Sequence, residues 1–205
     1  TIEKHKVTDS QWVPTHFVRM LKLDPEVRTR YDLSSHQRAL HAAAPCPVPI
    51  KREMIEWWGP IIQEYYSGSE MIGMSLVKSE DWLAKPGTVG RMVHGKVHVC
   101  APDGTELPAG ETGLLFFENE TLPSYHKDPE KTAEVMHERG WMTLGDIGHV
   151  DEDGFIFLTD RKSHMIISGG INIYPQEIEN LLVAPPVSRR SSARPIPISA
   201  NAWSR

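Results

Sequence analysis

The sequence predicts an α/β protein whose second half is rich in β-strand, and three observations carry that prediction. A strand, a helix and a strand follow one another between Gln37 and Tyr66. Short β-type runs separated by turn residues fill the stretch from Val89 to Asp160. After Thr159 come a charged turn, an apolar strand, a glycine pair and a proline-opened acidic helix, in that order.

Pro14 opens the first helix, residues 14–21, because its fixed φ suits a first helical turn; Phe17, Val18 and Leu21 share one face. Residues 37–44 are apolar enough for a short strand. Pro45, Pro47 and Pro49 then disfavour the helical region in the residues before them, so 45–49 is expected to be extended. Helix resumes after Pro49 with an apolar stripe of Ile50, Met54, Trp57 and Trp58, ends at Gly59-Pro60, and gives way to a buried strand at 61–66. Further strands are expected at 96–100, 113–117, 141–150 and 155–158, punctuated by Pro102-Asp103-Gly104 and Asp151-Glu152-Asp153-Gly154. One helix interrupts them near Asp128-Pro129-Glu130, where a capping carboxylate, a proline and an acid stand in sequence. A strand at 165–168 and a helix from Tyr174 to about Val183 follow. No internal repeat is visible.

The chain has 205 residues, of which 40% are hydrophobic and 24% charged, an ordinary globular composition sized for one domain and part of a second. A formal charge of −5 and a pI near 6.0 leave no global basic field for phosphate backbones or anionic membranes, so nucleic acid is not an expected partner. Cys46 and Cys100 stand outside any metal-type spacing and read as small apolar residues in a reducing, cytoplasmic setting. No apolar run approaches the roughly 18 residues of a spanning helix, and no charged-then-apolar leader opens the chain, so a soluble protein without a transmembrane segment is expected. It starts at Thr1, which fits a piece of something longer. Residues 184–205 differ from the body: they carry Arg189, Arg190, Arg194 and Arg205, no acidic residue, and Ser/Pro-rich stretches that predict disorder. A reading-frame change or truncation in the coding sequence fits this tail.

Three segments carry chemistry. Tyr65-Tyr66-Ser67-Gly68-Ser69-Glu70 reads either as a capped turn or as a ligand site: an aromatic to stack on a base, a hydroxyl for a phosphate oxygen, and a hard carboxylate for magnesium. Trp141-Met142-Thr143-Leu144-Gly145-Asp146-Ile147-Gly148 places an acid between glycines, either as a turn residue or as an acceptor for sugar hydroxyls. The third segment runs from Thr159-Asp160-Arg161-Lys162 through Met165-Ile166-Ile167-Ser168-Gly169-Gly170 to Asn172-Ile173-Tyr174-Pro175-Gln176-Glu177.

In this order and spacing the three segments resemble the core motifs of the adenylate-forming superfamily, over about residues 10–183, and within it the fatty-acid and aryl-acid CoA ligase branch. Ala42-Ala43-Ala44-Pro45 is similar to that family's small-residue loop, and Gly110-Glu111-Thr112-Gly113 to its Gly-Glu-x-Gly. The resemblance implies that 1–160 is part of the large N-terminal AMP-binding domain, a β-sheet with helices plus a β-rich subdomain. Residues 161–183 would be the hinge and the first strand and helix of the C-terminal lid.

It further implies an ATP-dependent acid:CoA ligase: a fatty or ring-bearing carboxylic acid attacks the α-phosphate of ATP, and the thiol of CoA then displaces AMP. Carried over by position, Tyr66 stacks on adenine beside the backbone of Ala42, Ala43 and Ala44. Ser69 contacts the α-phosphate and Glu70 holds Mg2+, which makes these two the catalytic pair. Asp146 takes the ribose hydroxyls, Arg161 reaches the ribose or phosphate, and Gly169 and Gly170 line the pantetheine tunnel. The acyl pocket is expected to run from Tyr66 and Met71 past Ile72, Gly73 and Met74. Two positions depart from the family: Ser67 stands for a usual glycine, expected to narrow the pocket mouth, and Ser163 for a hinge Asp or Lys. His164 beside it is expected to face solvent. The phosphate-cradling loop ending in Pro-Lys-Gly is not in this sequence, and no lysine follows Lys162, so the chain by itself is expected to be inactive. A non-catalytic nucleotide-binding remnant and transfer to a carrier protein are the alternative readings, and the sequence sets no oligomeric state.

Overall fold

The computed structural model describes residues 1–162, 164, 166–168, 171–173, 175 and 178. In the first half, α1 (Ile2–His5) precedes β1 (Asp9–Trp12), and α2 (Pro14–Leu21) and α3 (Pro25–Thr29) lead to β2 (Arg38–His41). Next come α4 (Val48–Trp58), β3 (Ile62–Ser67), β4 (Met74–Lys78), α5 (Ser79–Ala84) and β5 (Thr88–His94). The second half holds β6 (Lys96–Cys100), β7 (Gly113–Glu118), α6 (Pro129–Glu134), β8 (Met142–Val150) and β9 (Ile156–Arg161), followed by β10 (Ile166–Ser168) and β11 (Ile171–Ile173).

Among the described residues the first nine strands form one sheet in the order β1-β2-β3-β4-β5-β9-β8-β7-β6, and β10 pairs with β11 apart from it. β1, β2 and β3 run parallel, which requires the helical crossovers that α2 with α3 and then α4 supply. From β3 onward every pairing is antiparallel. The expected α/β class with a β-rich second half is the architecture observed. Phe17, Met54, Ile62 and Trp82 centre the core under the parallel strands, and Ile72, Leu115, Phe117 and Ile156 centre a second core under the antiparallel ones.

One local expectation is corrected and one is extended. Residues 45–49 are not extended throughout, because α4 already begins at Val48; Pro49 lies in its first turn, where the missing N–H has no intrahelical partner to lose. The core-facing side of α4 holds the expected Met54, with Ile50, Trp57 and Trp58 partly buried against the same core, and it also buries Lys51 and Ile55. Ile50, Met54, Trp57 and Trp58 keep the three- and four-residue spacing of a helical stripe, and Lys51 and Ile55 widen it. The expected cap of α6 is present, with Asp128 Oδ1 accepting from the Lys131 backbone N–H at 3.0 Å. Cys100 is buried and Cys46 partly so; both are free thiols, and burial pushes the Cys46 pKa up to about 12. No helix among the described residues is long and apolar enough to cross a membrane.

Candidate active site

β3 and β8 lie far apart in sequence and are not neighbours in the sheet, yet a side chain of each meets the other. The Tyr66 hydroxyl donates to Asp146 Oδ2 at 2.6 Å, joining positions 80 residues apart. Asp146 is 7% exposed, and Arg161 stands opposite it in the β8–β9 register with Nε 3.4 Å from the other carboxylate oxygen. Burial and the adjacent carboxylate push the Tyr66 phenol far above the ordinary tyrosine range, so it stays a neutral donor. An open cleft of about 470 Å³ lies beside this group, lined by Leu144, Gly145, Arg161 and Lys162. Its floor is held by backbone: the Gly145 N–H donates to Thr143 Oγ1 at 2.9 Å, and the Lys162 N–H to the Gly145 carbonyl at 2.8 Å. Gly145 has φ +80°, and a Cβ there would meet nothing within 4 Å.

The loop between β3 and β4 is pressed against β7 and β8. A Cβ on Gly68 would stand 2.5 Å from Leu144 Cδ2, and one on Gly73 2.7 Å from the Phe117 ring, so neither position admits a larger residue unless its neighbour moves. The Ser67 hydroxyl donates to the Gly73 carbonyl at 2.8 Å and closes the base of the loop. Ser69 lies exposed on the turn, while the next residue, Glu70, accepts from the Tyr125 hydroxyl through Oε1 at 3.0 Å. Met71 has φ +54° and is 60% exposed, whereas Ile72 is fully buried in the core. The left-handed turn at Met71 therefore sends these neighbours to opposite sides, and Ile72 packs in the core instead of lining an acyl pocket.

At the end of β2, Ala42 is buried and its N–H donates to the Trp12 carbonyl at 3.4 Å. Ala43 is exposed with φ +75°, and Ala44 is exposed beside it. The structure thus gathers Tyr66, Asp146 and Arg161, with Glu70 tied to Tyr125. Ser163, Gly169 and Gly170 lie outside the described residues. His164 is exposed, as expected. Sequence reasoning missed Tyr125, Gly145 and Lys162. Tyr125 lies in an irregular stretch with no periodicity to mark it, while Gly145 and Lys162 adjoin two motif residues and could have been found there. No group of three or more His, Cys, Asp or Glu side chains among the described residues is arranged to hold a metal ion.

A mixed sheet with parallel strands at one end, and an aromatic hydroxyl, a carboxylate and a guanidinium converging near the carboxyl end of β3, define an α/β protein with an open cleft beside these groups. The chain belongs to the AMP-binding enzyme family, whose pattern residues 1–123 match. It is 34% identical to the long-chain-fatty-acid–CoA ligase of Bacillus subtilis (strain 168), over 88% of this chain and 32% of that protein. Among solved structures it is similar to the amide bond synthetase McbA of Marinactinospora thermotolerans, with TM-score 0.79 and 30% identity over 88% of this chain and 37% of that one. It is also similar to o-succinylbenzoate CoA synthetase (MenE) of Bacillus subtilis in complex with an acyl-adenylate, with TM-score 0.77 and 28% identity over 90% and 37%. The fold is that of the N-terminal domain of adenylate-forming enzymes. The chain spans about a third of the length of the curated relatives it matches.

Proposed function

We propose that this chain carries the nucleotide side of an ATP-dependent acid:CoA ligase, which activates a carboxylic acid as its adenylate and passes the acyl group to CoA. The observation that carries the reading is the convergence of Tyr66, Asp146 and Arg161 beside one cleft. Asp146 would accept from the ribose hydroxyls: its two oxygens each have one partner, and a carboxylate offers about four acceptor positions. The Tyr66 ring would stack on adenine, with the exposed Ala43 and Ala44 backbone on its other side. Arg161 would reach the ribose or phosphate. Ser69, exposed on its turn, would contact the α-phosphate.

Mg2+, which the family implies, fits a site with one protein ligand: Glu70 Oε1 is held by Tyr125, and magnesium commonly takes one or two carboxylates together with substrate phosphates. Bound there it would offset phosphate charge. Catalysis by this chain's own residues is then orientation of the reacting groups. Residues 161–183 would form the hinge at Ser163 and the start of the lid, with Gly169 and Gly170 along the pantetheine path. Fatty-acid specificity and a cytoplasmic setting belong to this proposal too, the first supported by the Bacillus subtilis ligase. CoA as acceptor is supported by the CoA ligases among the relatives; the likeness to an amide bond synthetase favours a second reading, in which an amine takes the acyl group. Residues 1–205 alone should turn over slowly, since each missing charge-neutralising group costs about 10²–10³ in rate.

The test has two stages. Equilibrium dialysis of the 205-residue chain with AMP should show saturable binding. ATP–pyrophosphate exchange with a panel of carboxylic acids, on a ligase in which this chain replaces the matching segment of the Bacillus subtilis enzyme, should show acid-dependent exchange. No binding in the first and no exchange in the second would overturn the proposal.

A further inference from the structure

Behind the 42–47 loop lies a buried ionic pair that the proposed chemistry does not use. Lys51 is 0% exposed, and its Nζ lies 2.6 Å from Oε2 of Glu64, itself 6% exposed. The ammonium also sits 4.8 Å from the centroid of the Trp82 ring. Glu64 stands opposite His41 in the β2–β3 register, with His41 Nε2 3.5 Å from the same Glu64 oxygen. Burial, with the Lys51 charge adding to it, pushes the His41 pKa down to about 3, so the ring is neutral and this contact is no ion pair. Neither ring nitrogen of His41 has a hydrogen-bond partner among the described residues.

The placement of these side chains along the chain is what matters. His41 is the last residue of β2 before the 42–47 loop. Lys51 closes the first turn of α4 just after it, and Glu64 stands on β3 two residues before Tyr66. The pair therefore ties the far end of the loop to the strand that carries Tyr66, directly beside the residue where the loop begins. Such a pair is a poor stabiliser, because desolvating two charges consumes most of their attraction and apolar residues of similar volume often serve as well. Its distinctive property is direction. Ala43 points the same way: a non-glycine residue at φ +75° persists only where its surroundings over-determine the backbone.

We propose that Lys51 and Glu64 are positioning residues for the purine base: their ion pair fixes the 42–47 loop against β3 and so sets the gap between the Ala43-Ala44 backbone and the Tyr66 ring. The inference rests on the nucleotide reading of Tyr66. Neither side chain touches the ligand. The pair acts through the loop and the strand that it joins.

The experiment measures AMP affinity by equilibrium dialysis and thermal melting on the 205-residue chain, as wild type, Glu64→Gln and the apolar double variant Lys51→Met/Glu64→Leu. The expected result is a double variant that melts at or above the wild-type temperature yet binds AMP at least about tenfold more weakly, because packing is restored and direction is not. A double variant equally stable and equally tight overturns the inference and leaves the nucleotide reading standing. If the double variant fails to fold, Glu64→Gln decides: it keeps the shape and one hydrogen bond, and wild-type affinity there overturns the inference, while a tenfold loss supports it. A wild-type chain that binds no AMP overturns both.

Discussion

The Tyr66 hydroxyl and the Asp146 carboxylate meet at 2.6 Å, and this one bond links the strand end from the parallel half of the sheet to a strand in the antiparallel half. Asp146 keeps Arg161 at 3.4 Å on its other oxygen, so the carboxylate retains a partner when the phenol is removed. Tyr66→Phe should therefore cost about 1–2 kcal/mol of folding stability in urea titrations while leaving a ring able to stack, so AMP affinity stays near wild type. Asp146→Ala should instead weaken AMP binding by about 1–3 kcal/mol. Unchanged affinity in Asp146→Ala would remove the ribose assignment.

Stability should fall with acidification in a way that His41 explains. Its folded pKa is pushed from 6.5 to about 3, first by burial and then by Lys51. Below pH 6.5 the unfolded chain takes up a proton that the folded one refuses, so stability is full above that pH and drains away as the pH falls toward 3. The slope this residue contributes is up to about 1.4 kcal/mol per pH unit. His36, whose pKa is also lowered by burial, adds in the same direction. Urea titrations between about pH 7 and about pH 5 should show a flatter profile for His41→Asn than for wild type, whatever the variant's absolute stability. Parallel profiles would mean that His41 is not buried neutral.

Two glycines with positive φ should respond very differently to alanine. A Cβ on Gly90, at φ +97°, would stand 2.1 Å from the Leu76 carbonyl oxygen, inside the β4–β5 pairing. At Gly140, φ +78°, it would meet nothing within 4 Å. Gly140→Ala should cost the conformational strain alone, about 1–2 kcal/mol. Gly90→Ala adds a backbone collision and should cost at least about 3 kcal/mol. Similar losses in denaturant titrations would show that β4 and β5 separate easily at this point.

What the sequence displayed and what it hid follow from how far apart the interacting residues lie. The helix at Pro14–Leu21 and the strand at Lys96–Cys100 were legible because their caps and patterns are local. The run from Met74 to His94 was mostly hidden, because its core faces carry hydroxyls: Ser75 donates to the Val89 carbonyl, Ser79 to that of Ile62 and Thr88 to that of Ile156. A strand that buries Ser75 and Val77 around a less buried Leu76 defeats hydrophobic alternation. The α4 stripe was legible, but a lysine on its buried side was not. At the site, Tyr66 and Asp146 were legible from their local segments and Arg161 only through the family resemblance, but their convergence depends on strand order. Tyr125, which holds Glu70 across 55 residues, has no local signature at all.

The β8–β9 hairpin yields the last prediction. Lys85 Nζ bridges the carboxylates of Asp151 and Asp153 and sits 5.0 Å over the Phe155 ring, whose centroid also has the Arg91 guanidinium 4.0 Å away. The turn has its own support: Asp151 Oδ1 accepts from the backbone N–H of Asp153 at 3.0 Å and of Phe155 at 2.9 Å. Burial raises the Asp151 pKa, but its bonds to Lys85 and the turn backbone more than reverse this and hold the carboxyl below its ordinary value. Its contribution is therefore present above the unfolded carboxylate pKa and is lost as the pH falls through the lower folded one. Asp151→Ala orphans two backbone donors as well as the lysine, and should cost about 2 kcal/mol near neutral pH. Lys85→Met keeps the apolar stem over Phe155 and leaves the turn's own bonds intact, so its loss should be smaller. High salt should narrow the gap between Lys85→Met and wild type, because these groups are screened by solvent. Stability measured in low and high salt for both variants checks the order: a larger loss in Lys85→Met would mean that the ion bridge, and not the carboxylate's bonds to the turn backbone, holds the hairpin.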